Sequence, residues 1–217
     1  SNSVIADKTD VPFVGTTRVN KVTHLGKGRF LVEAGAPLQK IIKTARAKGF
    51  GGIEFLQSVP GTLGGAVFMN AGENSTSDNH IGRFVEEVVI FRRGVLMTVP
   101  ASWCRFGYRS SVFHDQPETV IAGAILKLLP MSDAEIQSGL DRRAKIAADF
   151  YDMTFPNAGS VYVVARNLRG AKGPVRWSSK TPNWILNTGR ATLADLLKLL
   201  PTRDGLEIQI LPRNTIR

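Results

Sequence analysis

Apolar residues in this chain come in short, interrupted runs, and that spacing limits the fold more than any other feature of the sequence. The runs have strand or short-helix length and are cut by Gly, Pro or charge. None approaches the roughly 20 apolar residues that a membrane-spanning helix needs. The spacing predicts a strand over 30–33 that ends at Gly35. A helix follows over 37–48, where Leu38, Ile41, Ile42 and Ala45 share one face and Gly49 supplies a stop. Residues 85–91 and 95–99 flank Arg92, Arg93 and Gly94 and read as a hairpin. Residues 120–128 form a further run of strand length. After Pro130, Ser132 and Glu135 have the spacing of a capping box, so a helix opens there and runs to about Phe150. Pro156 breaks the next segment, and residues 161–164 and 184–187 are strand-like. Thr192 caps a helix through Leu200, with Ala194, Leu196, Leu197 and Leu200 as its apolar side. Residues 206–211 are the last strand. Residues 166–180 are basic, hold Gly170 and Gly173, and read as a mobile surface loop.

Strands and helices mix without strict β–α–β alternation, which gives an α+β fold. At 217 residues the chain is one large domain or two small ones, and the break at Pro130 divides it into 1–130 and 131–217. The single Cys104 excludes an internal disulfide framework and fits a reducing compartment. His24, His80 and His114 stand in no metal-ligand spacing, so no metal site is expected. No N-terminal apolar stretch of signal-peptide length is visible. The net charge of +10 calls for anionic partners. Its excess is concentrated from Ser160 onward, where ten Lys and Arg face three acids. A diphosphate-bearing small molecule and nucleic acid both meet that requirement, as does a plain solvated basic face. Nucleic acid is the weaker candidate, because no helix-turn-helix or zinc-finger pattern is present and aromatic residues are only 8%.

Three segments carry candidate chemistry. The first is PGTLGGAVFMN at 60–70, where Gly61, Thr62, Gly64 and Gly65 crowd together. Glycine lets backbone approach a ligand closely. Successive N–H groups in such a loop form an anion-binding concavity, strengthened if a helix starts at 66–69. The pattern is neither a Walker A loop nor the Rossmann fingerprint, and by itself it is explained more simply by a tight structural turn. The second is FGYRSSVF at 106–113, which embeds Arg109 among aromatic and hydroxyl residues. A guanidinium so placed must be paired or must face a carboxylate or phosphate. The third is FPNAGS at 155–160, where Gly159 removes bulk beside Ser160. No nucleophile elbow surrounds that serine, so hydrolase chemistry is unsupported.

Taken in order, these blocks resemble a known family. IEFL at 53–56, VPGTLGGA at 59–66 and MNAG at 69–72 are similar to the flavin-binding domain of UDP-N-acetylenolpyruvoylglucosamine reductases. YRSS at 108–111 and FPNAGSV at 155–161 resemble the same family, and NWILN at 183–187 with Ala191, Thr192 and the closing strand resembles its last domain. The resemblance implies a flavin-binding domain of the vanillyl-alcohol-oxidase type followed by a C-terminal α/β substrate domain. It implies a cytoplasmic enzyme of peptidoglycan precursor synthesis. NADPH would reduce bound FAD, and the flavin would reduce the enolpyruvyl UDP-sugar to UDP-N-acetylmuramate. On the matching positions, Arg109 stabilises an enolate, Ser160 protonates it and Glu207 assists at the carboxylate. FAD contacts fall on Ser1, Asn2, Pro60, Gly61, Thr62, Gly64, Gly65, Ala66, Asn70 and Ile121, and substrate contacts on Tyr108, Ser110 and Asn157. Neither a membrane nor an oligomeric state is implied.

The sequence also departs from the family. A Gly-rich loop and a small subdomain precede this region in relatives, so residues 1–130 are expected to be a flavin domain without its N-terminal subdomain. Where the family runs Phe-Lys-Asn-Pro, this chain has Tyr162, Val163, Val164 and Ala165. Where it has a histidine before Asn183, this chain has Thr181 and Pro182. A second reading follows: a divergent member that binds a nucleotide without catalysis.

Overall fold

Alternation of buried and open positions builds the first sheet. In the structure, a computed structural model, residues 3–5, 10–74, 77–163, 166 and 168–211 are described. In chain order the elements are β1 (Ser3–Ile5), β2 (Val22–Gly26), β3 (Arg29–Glu33), α1 (Leu38–Arg46), β4 (Phe50–Gly51) and α2 (Leu63–Phe68). They continue with β5 (Val85–Arg92), β6 (Val95–Pro100), β7 (Thr119–Lys127), β8 (Leu129–Pro130) and α3 (Asp133–Phe150). The last are β9 (Asn157–Ser160), β10 (Ala171–Lys172), β11 (Val175–Trp177), β12 (Trp184–Asn187), α4 (Leu193–Leu199) and β13 (Gln209–Leu211). The chain divides into two units, Gly15–Lys145 and Ser1–Val14 with Ile146–Arg217. The division falls inside α3. Pro130, read as a boundary, lies within the first unit, in β8 paired to Phe50 of β4. A proline is tolerated on such a short edge pairing, so it marks an edge strand here.

The first unit is an antiparallel sheet in the order β2-β3-β7-β5-β6. Phe30 and Val32 of β3 face Leu126 and Ala124 of β7, and Val88 of β5 also faces Ala124; all five are buried on one side. α1 covers that side with Leu38, Ile41, Ile42 and Ala45, as its periodicity predicts. The β5–β6 hairpin closes through two residues, Arg93 at φ 49° and Gly94 at φ 79°. Two left-handed positions in a row make the turn whose twist matches that of its strands. Ser132 and Glu135 form the expected capping box at the start of α3, with Glu135 Oε2 accepting from Ser132 N and Oγ at 2.8 and 2.7 Å.

The second unit is an antiparallel sheet in the order β10-β11-β12-β9, with α4 packed on β10 and β11 and a separate parallel pair, β1 with β13. Its core holds Val161, Tyr162, Val175, Trp177, Ile185, the buried face of α4, Ile208 and Ile210. Four expectations change here. Residues 166–180 contain the β10–β11 hairpin: Val175 and Trp177 point inward and Arg176 outward, an alternation that the surrounding charge conceals. The strand expected at 161–164 is displaced to 157–160; Tyr162 makes only an isolated bridge to Leu206, and Val164 lies outside the described residues. The last strand begins at Gln209, so Glu207 precedes it. α4 buries Leu193, Leu196 and Leu199, whereas Ala194 is exposed. The N-cap falls at Thr192 as expected, its hydroxyl accepting from Asp195 N, and the face that α4 turns to β10 and β11 is the one bearing Leu193, Leu196 and Leu199.

Candidate functional site

In the first unit the Gly-rich segment forms a turn into α2. The helix starts at Leu63, earlier than the 66–69 expected, because the turn is pinned to the β3–α1 connection. Leu63 N and Gly64 N donate to Ala36 O and Ala34 O at 2.9 and 2.8 Å, and Leu38 N donates to Gly61 O. Two amides of the concavity are therefore engaged within the protein. Among the described residues, those of Gly61, Thr62 and Gly65 have no acceptor. The two adjacent glycines differ in cause. A Cβ on Gly64 would stand 3.1 Å from that of Ala34, so Gly64 permits the helix to pack on the strand. A Cβ on Gly65 would meet nothing within 4 Å, and that residue is exposed. Packing gives no reason for glycine inside a helix there. Open amides on a turn with no side chain in front of them fit the diphosphate of a dinucleotide cofactor such as FAD.

α2 ends against a second turn, at residues 107–110, and two hydrogen bonds, Asn70 Nδ2 to Gly107 O and Ser111 Oγ to Phe68 O, join them. Asn70, only 3% exposed and at φ 44°, donates Nδ2 to Gly107 O and accepts at Oδ1 from Gly82 N, both at 2.9 Å. A Cβ on Gly82 would approach Asn70 Oδ1 to 2.7 Å, which accounts for the glycine. Ser111 Oγ donates to Phe68 O at 2.6 Å, and Gly107 N and Ser110 O close the turn at 3.0 Å. Arg109 occupies its left-handed position, φ 51°. A bulky residue there is uncommon and marks strain held by its surroundings. The half-buried guanidinium donates from Nη2 to Gly72 O and Glu73 O at 2.9 and 3.0 Å and lies 4.9 Å from the centre of the Tyr108 ring. Tyr108 and Ser110 beside it are exposed.

In the second unit, Pro156 leads into a loop closed by its own asparagine. Asn157 donates Nδ2 to Asp152 O and Phe155 O and accepts at Oδ1 from Gly159 N, itself at φ 80°. Asp152 braces the loop from below: it accepts from Ser178 Oγ at 2.6 Å and from Thr154. Those hydroxyl donors hold its carboxyl below the ordinary range, with Arg176 adding to the effect. Ser160, half-buried, ends β9 opposite Trp184. Its hydroxyl makes no hydrogen bond to another described residue. Val161 O, one residue further, accepts from Glu207 N at 2.8 Å. The fold thus brings the backbones of Ser160 and Glu207 together, although they are far apart in sequence. A cavity of about 210 Å³ borders the same loop, with Gly159, Thr192 and Ile208 in its wall.

The remaining expected positions sort as follows. Ser1 and Asn2 lie outside the described residues. Pro60 is exposed, Ala66 is buried in α2, and Ile121 is buried in β7 opposite Ile90. Both polar ends of Asn70 and of Asn157 are engaged on the protein itself. Asn183, Asp152 and Ser111 were given no site role from the sequence, and each turns out to hold a loop that bears an expected site residue. Among the described residues no cluster of His, Cys, Asp and Glu could hold a metal ion, and no helix is long and apolar enough to cross a membrane.

No family model matches the chain. Among curated proteins it is 30% identical over 207 residues to the UDP-N-acetylenolpyruvoylglucosamine reductase of Thermotoga petrophila, covering 89% of this chain and 71% of that protein. It is 32% identical over 206 residues to the reductase of the same name from Chlamydia trachomatis, covering 88% and 69%. Among solved structures it superposes on the reductase (MurB) of Thermus caldophilus with a TM-score of 0.71 at 27% identity, covering 88% of this chain and 74% of that one. The curated relatives and the solved structure named above all carry the name of this reductase. The chain belongs to the UDP-N-acetylenolpyruvoylglucosamine reductase family.

Proposed function

We propose that this chain catalyses the FAD-dependent, NADPH-linked reduction of UDP-N-acetylglucosamine enolpyruvate to UDP-N-acetylmuramate, in the cytoplasm. The observation that carries this reading is the 30% identity to the Thermotoga petrophila reductase across 71% of its length. The open amides of Gly61, Thr62 and Gly65 support a place for the FAD diphosphate.

FAD held against the Gly61–Gly65 turn, once reduced by NADPH, would supply a hydride to the terminal carbon of the enol ether. The electron pair of the double bond then moves onto the adjacent carbon and into the carboxylate. A cation that faces this developing charge lowers the barrier, and Arg109 takes that role. Its backbone is fixed by the Asn70 and Ser111 bonds, so little reorganisation accompanies the charge. Ser160 Oγ gives its proton to the enolate carbon: the O–H bond breaks as the C–H bond forms. A hydroxyl is a weak acid, but a carbanion-like enolate is a strong base, so the transfer is feasible. Glu207 acts at the carboxylate end.

The test is turnover by the full-length protein supplied with FAD. Sustained NADPH oxidation, beyond the one equivalent that reduces the bound FAD, is expected only when the enolpyruvyl UDP-sugar is also present. Protein that takes up no FAD and oxidises no NADPH would favour the nucleotide-binding module instead, a reading motivated by Val163 where the family has lysine. A further expectation separates cradle from scaffold at Gly65. Replacing it by Ala should stabilise the fold by up to about 1 kcal/mol, the helix-propensity gain, since the new methyl meets nothing. The same methyl should weaken FAD binding tenfold or more, as read by thermal unfolding and flavin titration on one preparation.

A further inference from the structure

We infer that Asn183 is a positioning residue for the proton donor, holding the peptide that follows Ser160 through a two-way amide clamp. Asn183 is 4% exposed and adopts φ 74°. Its Oδ1 accepts from Tyr162 N at 2.9 Å and its Nδ2 donates to Tyr162 O at 2.7 Å. Its own carbonyl accepts from Val161 N at 2.8 Å. One residue therefore fixes three main-chain groups of the two residues after Ser160. The fourth, Val161 O, is taken by Glu207 N at 2.8 Å. The clamped peptide thus adjoins two of the three groups assigned to the reaction, Ser160 and Glu207. Tyr162 cannot yield on the far side: it is buried, and its hydroxyl donates to Thr202 O at 2.6 Å.

The residue type follows from the geometry. Reading both the N–H and the C=O of one residue needs an acceptor and a donor on one short side chain, which is a carboxamide. Asparagine also tolerates the left-handed backbone better than other non-glycine residues. Aspartate would keep the acceptor and lose the donor, turning a carboxylate oxygen toward Tyr162 O. Glycine would keep the backbone angle and lose the clamp. Without the clamp, β9 pairing to Trp184 still holds Ser160 on one side, so the hydroxyl is displaced while the fold remains. A donor displaced by about 1 Å slows proton transfer on the order of 100-fold.

This inference rests on the reaction proposed above. The experiment follows both half-reactions by stopped-flow on the FAD-loaded full-length protein and its Asn183→Gly and Asn183→Asp variants. Reduction of bound flavin by NADPH requires no proton from Ser160 and is expected at an unchanged rate. Oxidation by the enolpyruvyl UDP-sugar is expected to slow 10- to 100-fold in both variants, with KM little changed. Equal rates in both half-reactions for both variants would overturn the positioning role. So would a parallel loss of both half-reactions with a lower unfolding temperature, the mark of a scaffold residue. If the unsubstituted protein shows no flavin reduction by NADPH at all, the reaction itself fails, and this inference with it.

Discussion

Substituting Ser160 by Ala is expected to lower kcat by about 100- to 10,000-fold, the range that a positioned general acid contributes. KM should change little, because the lost hydroxyl acts on a carbon that becomes basic only after hydride transfer. Ser160→Cys should keep more activity than the alanine variant, since a thiol can also donate a proton. The scaffold should tolerate both changes: the hydroxyl bonds to no other described residue, and β9 is held by main-chain pairing and by the Asn157 loop. Steady-state kinetics with circular dichroism on each variant check this. An alanine variant at the parent rate would remove Ser160 as the donor.

Neutralising Arg109 should have the next largest effect. Arg109→Met is expected to cost about 100- to 1,000-fold in kcat, the loss typical of one preorganised charge-stabilising donor. Arg109→Lys should recover only part of it. A lysine has no planar fork and cannot span the carbonyls of Gly72 and Glu73 while presenting a second edge. Arg109 already carries the strain of its left-handed position, so Met and Lys add none, but loss of the hydrogen bonds to Gly72 O and Glu73 O should lower the unfolding temperature modestly in both variants. The difference in kcat between Lys and Met at equal stability isolates the charge.

Much of the fold was legible because it is local. The periodicity of α1, the capping boxes at Ser132 and Thr192 and the two-residue turn at Arg93 and Gly94 all act within a few residues of themselves. What escaped is non-local. β1 is three residues long and owes its existence to β13, more than two hundred positions away. The β10–β11 hairpin was hidden because basic residues surround the two that it buries, Val175 and Trp177. The site divides in the same way. Arg109 and Ser160 stand out as a charge and a hydroxyl in Gly-rich, aromatic company. Asn70, Asn157 and Asn183 look alike as letters, because a carboxamide that faces a ligand and one that faces a backbone have the same sequence signature. Only the fold shows all three to be turned onto the main chain.

The most direct test of flavin-to-enol-ether chemistry is anaerobic mixing of the full-length protein, its FAD already reduced by one equivalent of NADPH, with the enolpyruvyl UDP-sugar. Return of the oxidised flavin absorbance near 450 nm, with one equivalent of UDP-N-acetylmuramate formed, is the predicted result. Flavin that stays reduced with the sugar intact would contradict it.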